Sequence, residues 1–239
     1  MPSEARVEGP DPSPRAAVIR VAVIDSGIHA GHPHVGRVDG GVALLAGAGP
    51  EDWTDRTGHG TAVAAAIREK APDAELIAVK VFDDRLSVSV NTLIRAIDSA
   101  VSFDCHLINM SLGTTRIEHA GRLHAAVERA RAAGAVLVAP RQDAAERFLP
   151  GSLPGVVGVV VDWDASRDVV RARRARTGQL VCHASGYPRD IPGVPRERNL
   201  KGVSFAVANT TGWLAREAAT TGSVPAVLAS LPVSMSIGD

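Results

Sequence analysis

Val18 to Ile24 is a nearly unbroken apolar run that stops abruptly at Asp25-Ser26-Gly27. A strand can be apolar at every position only where both faces of its sheet are covered, as in a parallel sheet between helices. The segments that follow keep that rhythm. Ala62 to Ile67 reads as a buried small-residue helix, Glu75 to Phe82 as a strand, and Val90 to Val101 as a helix with Leu93, Ile94, Ile97 and Val101 on one face. His106 to Met110 is the next strand, and Ala120 to Ala133 a helix stopped by Gly134. Ala135 to Ala139 and Val156 to Val161 add two more strands, and Phe205 to Ala215 a helix-like stretch with Ser204 at its start. Repeated strand–helix alternation predicts an α/β fold with a mostly parallel central sheet flanked by helices.

Composition fits that frame. The 239 residues suit one large domain, so residues 1–17 read as a Pro-rich disordered leader and 18–239 as a single domain. Apolar residues make up 45% but aromatics only 3%, so the core must be built from Val, Ala, Leu and Ile. Lys plus Arg and Asp plus Glu number 26 each, and this balance gives no reason to expect nucleic acid or a membrane surface as partner. The local basic run Arg171 to Arg176 reads as a solvated loop or edge strand, with an acidic peptide partner as the other reading. Cys105 and Cys182 lie in no CxxC or Cys/His cluster and are expected buried and reduced. With no apolar h-region before Val18 and no stretch of membrane-spanning length, the expected location is cytoplasmic.

Chemistry enters through three glycine-flanked residues. Asp25 ends the first strand, His59 lies in Gly58-His59-Gly60-Thr61, and Ser204 lies in Gly202-Val203-Ser204-Phe205-Ala206. An acid, an imidazole and a hydroxyl are the parts that turn a weak alcohol into a nucleophile. Taken singly, each has a plainer reading: a turn or cap aspartate, a tight turn, a helix N-cap serine. Together, in the chain order Asp, His, Ser, they match one of the known orders of the hydrolytic triad.

The motifs resemble those of subtilisin-like serine peptidases. Val21 to Ile28 is similar to the family's aspartate motif, Gly58 to Thr61 to its histidine motif, and Gly202 to Ala206 to its serine motif with two changes. Ile108-Asn109-Met110-Ser111-Leu112-Gly113 resembles its substrate-binding strand, and Leu153 to Val159 another framework segment. The resemblance implies a subtilisin-like three-layer fold and an acyl-enzyme mechanism. Ser204 would be the nucleophile, His59 the general base and Asp25 its orienting acid. A peptide would lie extended between two edges, Ser111-Leu112-Gly113 and Leu86-Ser87-Val88.

Four departures narrow that expectation. The family's oxyanion asparagine aligns with Asp143, which can donate only when protonated, so the donor is expected from protonated Asp143 or, with a one-residue shift, from the Gln142 amide. Ala208 and Asn209 stand where the family usually has proline and histidine. Ala71-Pro72-Asp73 joins helix to strand directly, without the family's frequent calcium loop, so no metal and no cofactor are expected. The residues before Val18 are too few for a folding pro-segment. The expected function is a serine endopeptidase of narrow specificity that processes a peptide precursor or leader. The alternatives are a catalytically impaired pseudoprotease that binds peptides, or an acyl-transfer or cyclising relative.

Overall fold

A computed structural model describes residues 17–83, 87–141 and 148–231. Its centre is an eight-stranded sheet in the order β2-β3-β1-β4-β5-β6-β8-β7. The strands are β1 (Arg20–Asp25), β2 (Gly40–Ala43), β3 (Glu75–Lys80), β4 (Leu107–Met110), β5 (Val136–Pro140), β6 (Val157–Val161), β7 (Val170–Arg174) and β8 (Leu180–Ala184). All pairings are parallel except the outermost, β7 against β8.

The apolar runs are explained by two cores, one on each face. Along β1, Val21 and Val23 enter one core while Ala22 and Ile24 enter the other, as the two-residue period of a strand requires. β3 repeats the pattern with Leu76 and Ala78 against Ile77 and Val79. On the first face lie α1 (His59–Lys70) and α4 (Val203–Thr221), on the second α2 (Val90–Ser102) and α3 (Ala120–Ala132). The helix α5 (Val224–Ser230) packs back on α4 through Val224 and Val227. The expected three-layer α/β arrangement is what the chain adopts.

Small residues let α1 and α4 come close. A Cβ on Gly212 of α4 would stand 3.0 Å from the Lys70 Cβ and 3.1 Å from the Ile67 Cα of α1. α4 is therefore held tightly from its middle, and its first turn is carried to a fixed place. From β1 the chain runs out to β2, returns through α1 on one face to β3, and then crosses through α2 on the other face to β4, which pairs with β1 on the side opposite β3. In open α/β sheets ligands bind in the crevice beyond the carboxyl ends of the strands. Asp25 ends β1 there, and Ser111 follows the end of the adjacent β4, where Ile24 pairs with Met110.

The basic run Arg171 to Arg176 lies partly on the edge strand β7, one of its two expected placements. Arg171 pairs with Asp162 at 2.5 Å and Arg174 donates to the Leu228 carbonyl at 2.9 Å. Charged side chains on an exposed edge discourage pairing with a further strand. Cys105 and Cys182 are free and buried, and burial pushes both thiols up to about 12. No helix among the described residues is long and apolar enough to cross a membrane.

Candidate active site

Asp25 and His59 meet first. Nδ1 of His59 stands 2.7 Å from Oδ1 of Asp25, which also accepts the Ser26 N–H at 2.8 Å. A carboxylate can only accept, so Nδ1 carries the proton and Nε2 is left as the free base. Asp25 is buried to 2% side-chain exposure whereas His59 keeps 35%, so the imidazole opens to the crevice and its partner does not. The hydrogen bond from His59 to Asp25 raises the imidazole's pKa above its ordinary value. Desolvation opposes this shift, and the charges of Asp25 and Asp55 add to it.

The turn before His59 is built around Asp55. Its Oδ1 accepts from Ser26 Oγ (3.0 Å), Thr57 N–H (2.9 Å), Thr57 Oγ1 (3.1 Å) and Gly58 N–H (2.9 Å). Its Oδ2 accepts from Thr61 N–H (2.9 Å) and Thr61 Oγ1 (2.6 Å). Burial alone would push this carboxyl up, but the donors of Thr61, Gly58 and Thr57 together hold it below its usual value. Asp55 thus satisfies orphan N–H groups at the start of α1, where a negative charge also meets the helix dipole favourably. Ser26 Oγ in turn accepts the Gly60 N–H at 3.0 Å, tying the turn to the end of β1. A sequence signal was present, since an acidic residue just ahead of a helix start is a common N-terminal cap.

Ser204 is the second residue of α4, among the first N–H groups of a helix, which have no acceptor a turn earlier. Its hydroxyl donates to the Ser111 carbonyl at 3.4 Å, and Ser111 Oγ reaches back to the Ser204 carbonyl at 3.5 Å. No His59–Ser204 hydrogen bond occurs among the described residues. Both contacts of Ser204 are long and weak. Rotation about χ1 that re-aims the hydroxyl therefore sacrifices little, and the Phe205 ring beside Ser204 has its centroid 5.8 Å from that of His59.

Two buried amides fix the serine loop. Asn109 of β4 donates to Ser111 Oγ at 3.0 Å and accepts from Thr211 of α4 at 3.0 Å. Asn209, the residue in place of the family's usual histidine, donates to the carbonyls of Ser185 (2.9 Å) and Tyr187 (3.0 Å). That clamp holds the beginning of the segment that returns at Gly202, whose N–H bonds to the Gly186 carbonyl at 2.8 Å.

The two expected peptide-binding edges face each other in part. Ser87 and Val88 line a cavity of about 500 Å³ together with Leu112, Gly113, Arg116 and His119. Leu86, Gln142 and Asp143 lie outside the described residues. Arg141, just before Gln142, follows β5 with its N–H on the Val159 carbonyl at 2.7 Å.

Residues 17–141, more than half of the chain, match the Subtilase family, Peptidase S8. The chain belongs to the subtilase family. The thermostable alkaline protease of Halalkalibacterium halodurans is 36% identical over 160 residues, covering 62% of this subtilase and 43% of that protein. Subtilisin E of Bacillus subtilis is 31% identical over 204 residues, covering 81% of this chain and 51% of that one. The chain therefore spans about half the length of these relatives. The protease domain of PatA aligns with a TM-score of 0.63 and 27% identity, over 89% of this subtilase and 85% of that domain.

Proposed function

We propose that this subtilase is a serine endopeptidase that works through an acyl-enzyme, with a peptide precursor as its substrate class. The observation that carries the reading is the 2.7 Å His59–Asp25 hydrogen bond at the mouth of the crevice where Ser204 opens α4. The likeness to the PatA protease domain supports it.

The steps follow from the groups present. Ser204 Oγ turns from Ser111 towards His59, and its oxygen attacks a peptide carbonyl carbon as its proton passes to His59 Nε2. Asp25 stabilises the imidazolium that results. The Ser204 N–H, at the positive end of α4, faces developing oxyanion charge. Asp143 in its protonated form, or the Gln142 amide, is the proposed second donor. His59 then protonates the departing amine, leaving the acyl group on Ser204. Water, deprotonated by His59, hydrolyses the ester and restores the hydroxyl.

A fluorophosphonate probe tests this directly. Covalent labelling of the wild-type protein is expected, with complete loss in Ser204→Ala of unchanged circular dichroism. Absence of labelling in well-folded wild-type protein would refute the reading and leave a peptide-binding module.

A further inference from the structure

Gly113 has no room for a side chain, and the obstruction is specific. An ideal Cβ there would lie 2.3 Å from the Leu149 carbonyl oxygen, 2.7 Å from Phe148 Cε1 and 2.9 Å from Phe148 Cδ1. The Phe148 ring is thus laid against one side of the segment proposed above to bind peptide.

The side it occupies is the side of the nucleophile. Asn109 and Ser111 share a face, as their 3.0 Å hydrogen bond records, and that face looks onto α4 through Thr211 and Ser204. Residues two apart on an extended segment point the same way, so the missing side chain of Gly113 belongs to this face too. Gly113 lies two extended residues, about 7 Å, beyond Ser111 along the chain.

The ring is also held in place. Thr114 and Leu149 exchange two backbone hydrogen bonds of 2.8 Å each, and the Ser152 N–H donates to the Phe148 carbonyl at 2.9 Å. Buried Gln179 donates to the carbonyls of Gly151 (2.7 Å), Leu153 (3.0 Å) and Val156 (3.2 Å), fixing the turn behind it. Phe148 itself is only partly buried.

A glycine in a binding strand ordinarily leaves space beside it for a ligand side chain. Here an aromatic ring on an anchored backbone has taken that space. We propose that Phe148 is a specificity-determining residue: it fills the pocket beside Gly113, so the residue contributing the attacked carbonyl must have a small side chain, glycine or alanine. This rests on the peptidase reading. With a carbonyl carbon about 3 Å from Ser204 Oγ and the backbone paired along Ser111 to Gly113, the side chain of that residue is directed over Gly113 onto the ring. Extra methylenes there have nowhere to go, and each misfit of that size discriminates by about tenfold or more.

The test uses two peptidyl phosphonates that react with an activated serine and differ only in the residue bearing the phosphorus, alanine or phenylalanine. The expected result is labelling of Ser204 at least about tenfold faster by the alanine probe, with Phe148→Ala and Phe148→Leu both accelerating the phenylalanine probe. Melting curves of each variant confirm that it is folded, and the wild-type ratio decides the matter without either variant. Equal or faster wild-type labelling by the phenylalanine probe, or an unchanged ratio in folded Phe148 variants, overturns the inference while leaving the peptidase reading intact. If neither probe labels and the fluorophosphonate also fails, the peptidase reading falls and this inference with it. Fluorophosphonate labelling with neither peptidyl probe reacting would overturn the inference alone.

Discussion

His59 Nδ1 lies 2.7 Å from Asp25 Oδ1, and this contact sets the pH range in which the proposed base is available. The contact favours the charged imidazole, so the pKa of His59 is raised above 6.5. Its contribution to stability is accordingly full below about pH 6.5 and is lost as pH rises through the folded value. Activity has the opposite sign, because only neutral His59 can accept the serine proton. The rate of Ser204 labelling should therefore rise with pH with a midpoint above 6.5. In Asp25→Asn the midpoint should drop and turnover should fall by roughly 10⁴, read from a pH–rate profile of peptide hydrolysis. A midpoint unchanged by the substitution would mean that Asp25 does not tune His59.

Asp55 should matter to stability more than its place in a loop implies. Replacing it by alanine leaves the N–H groups of Thr57, Gly58 and Thr61 without their acceptor. Loss of a cap and of buried acceptors should cost about 2–4 kcal/mol, measured by urea denaturation. The carboxyl's pKa is held low in the fold, so its stabilisation is present above about pH 4 and lost as pH falls through the lower folded value. Wild type and Asp55→Ala should converge in stability in strong acid. Parallel curves down to pH 2 would show that the charge is not what holds the turn.

Much of this was legible in the sequence because its causes are local or periodic. The apolar runs of β1 and β3 announce a sheet covered on both faces, and the spacing of Leu93, Ile97 and Val101 announces α2. Gly134, at φ +86°, ends α3 where it was expected to. The strands β2 and β8 were not singled out, and β7 only as one of two readings of the basic run Arg171 to Arg176. β2 is only four residues long, and β7 carries three arginines on an exposed edge, so neither has an apolar run to declare it. The partnership of Asp55 with Ser26 spans 29 residues and depends on the fold, as does the approach of Phe148 to Gly113. No spacing rule connects such residues before the sheet has brought them together.

The glycines on either side of His59 should respond to substitution in different ways. Gly58 has φ +86° with open space where a Cβ would go, so Gly58→Ala should cost about 1 kcal/mol of backbone strain. A Cβ on Gly60 would lie 2.1 Å from the Gly27 carbonyl oxygen and 3.2 Å from the Asp25 Cβ, within the hydrogen-bonded contact between β1 and α1. Gly60→Ala should therefore cost more than about 3 kcal/mol or prevent folding, and should slow Ser204 labelling by displacing His59 from Asp25. Thermal denaturation of the pair provides the comparison. Equal losses would show that the close approach is not limiting.

Asn209 offers the sharpest separation of positioning from mere packing. Its side-chain N–H groups bond the carbonyls of Ser185 and Tyr187, while Ser204 lies more than a helical turn away on the same helix. Asn209→Leu keeps the volume but takes the Asn209 donors from the Ser185 and Tyr187 carbonyls, and should cost about 2–4 kcal/mol. Asn209→Gln keeps the amide on a longer stem and should recover part of that loss. If the clamp positions the serine loop, Ser204 labelling should fall in Asn209→Leu even at a temperature where the protein is fully folded, and return in part in Asn209→Gln. A folded Asn209→Leu with the wild-type labelling rate would confine Asn209 to stability. The pH midpoint set by His59 should not move in either variant, because neither change touches Asp25, and this invariance distinguishes a displaced nucleophile from a disturbed base.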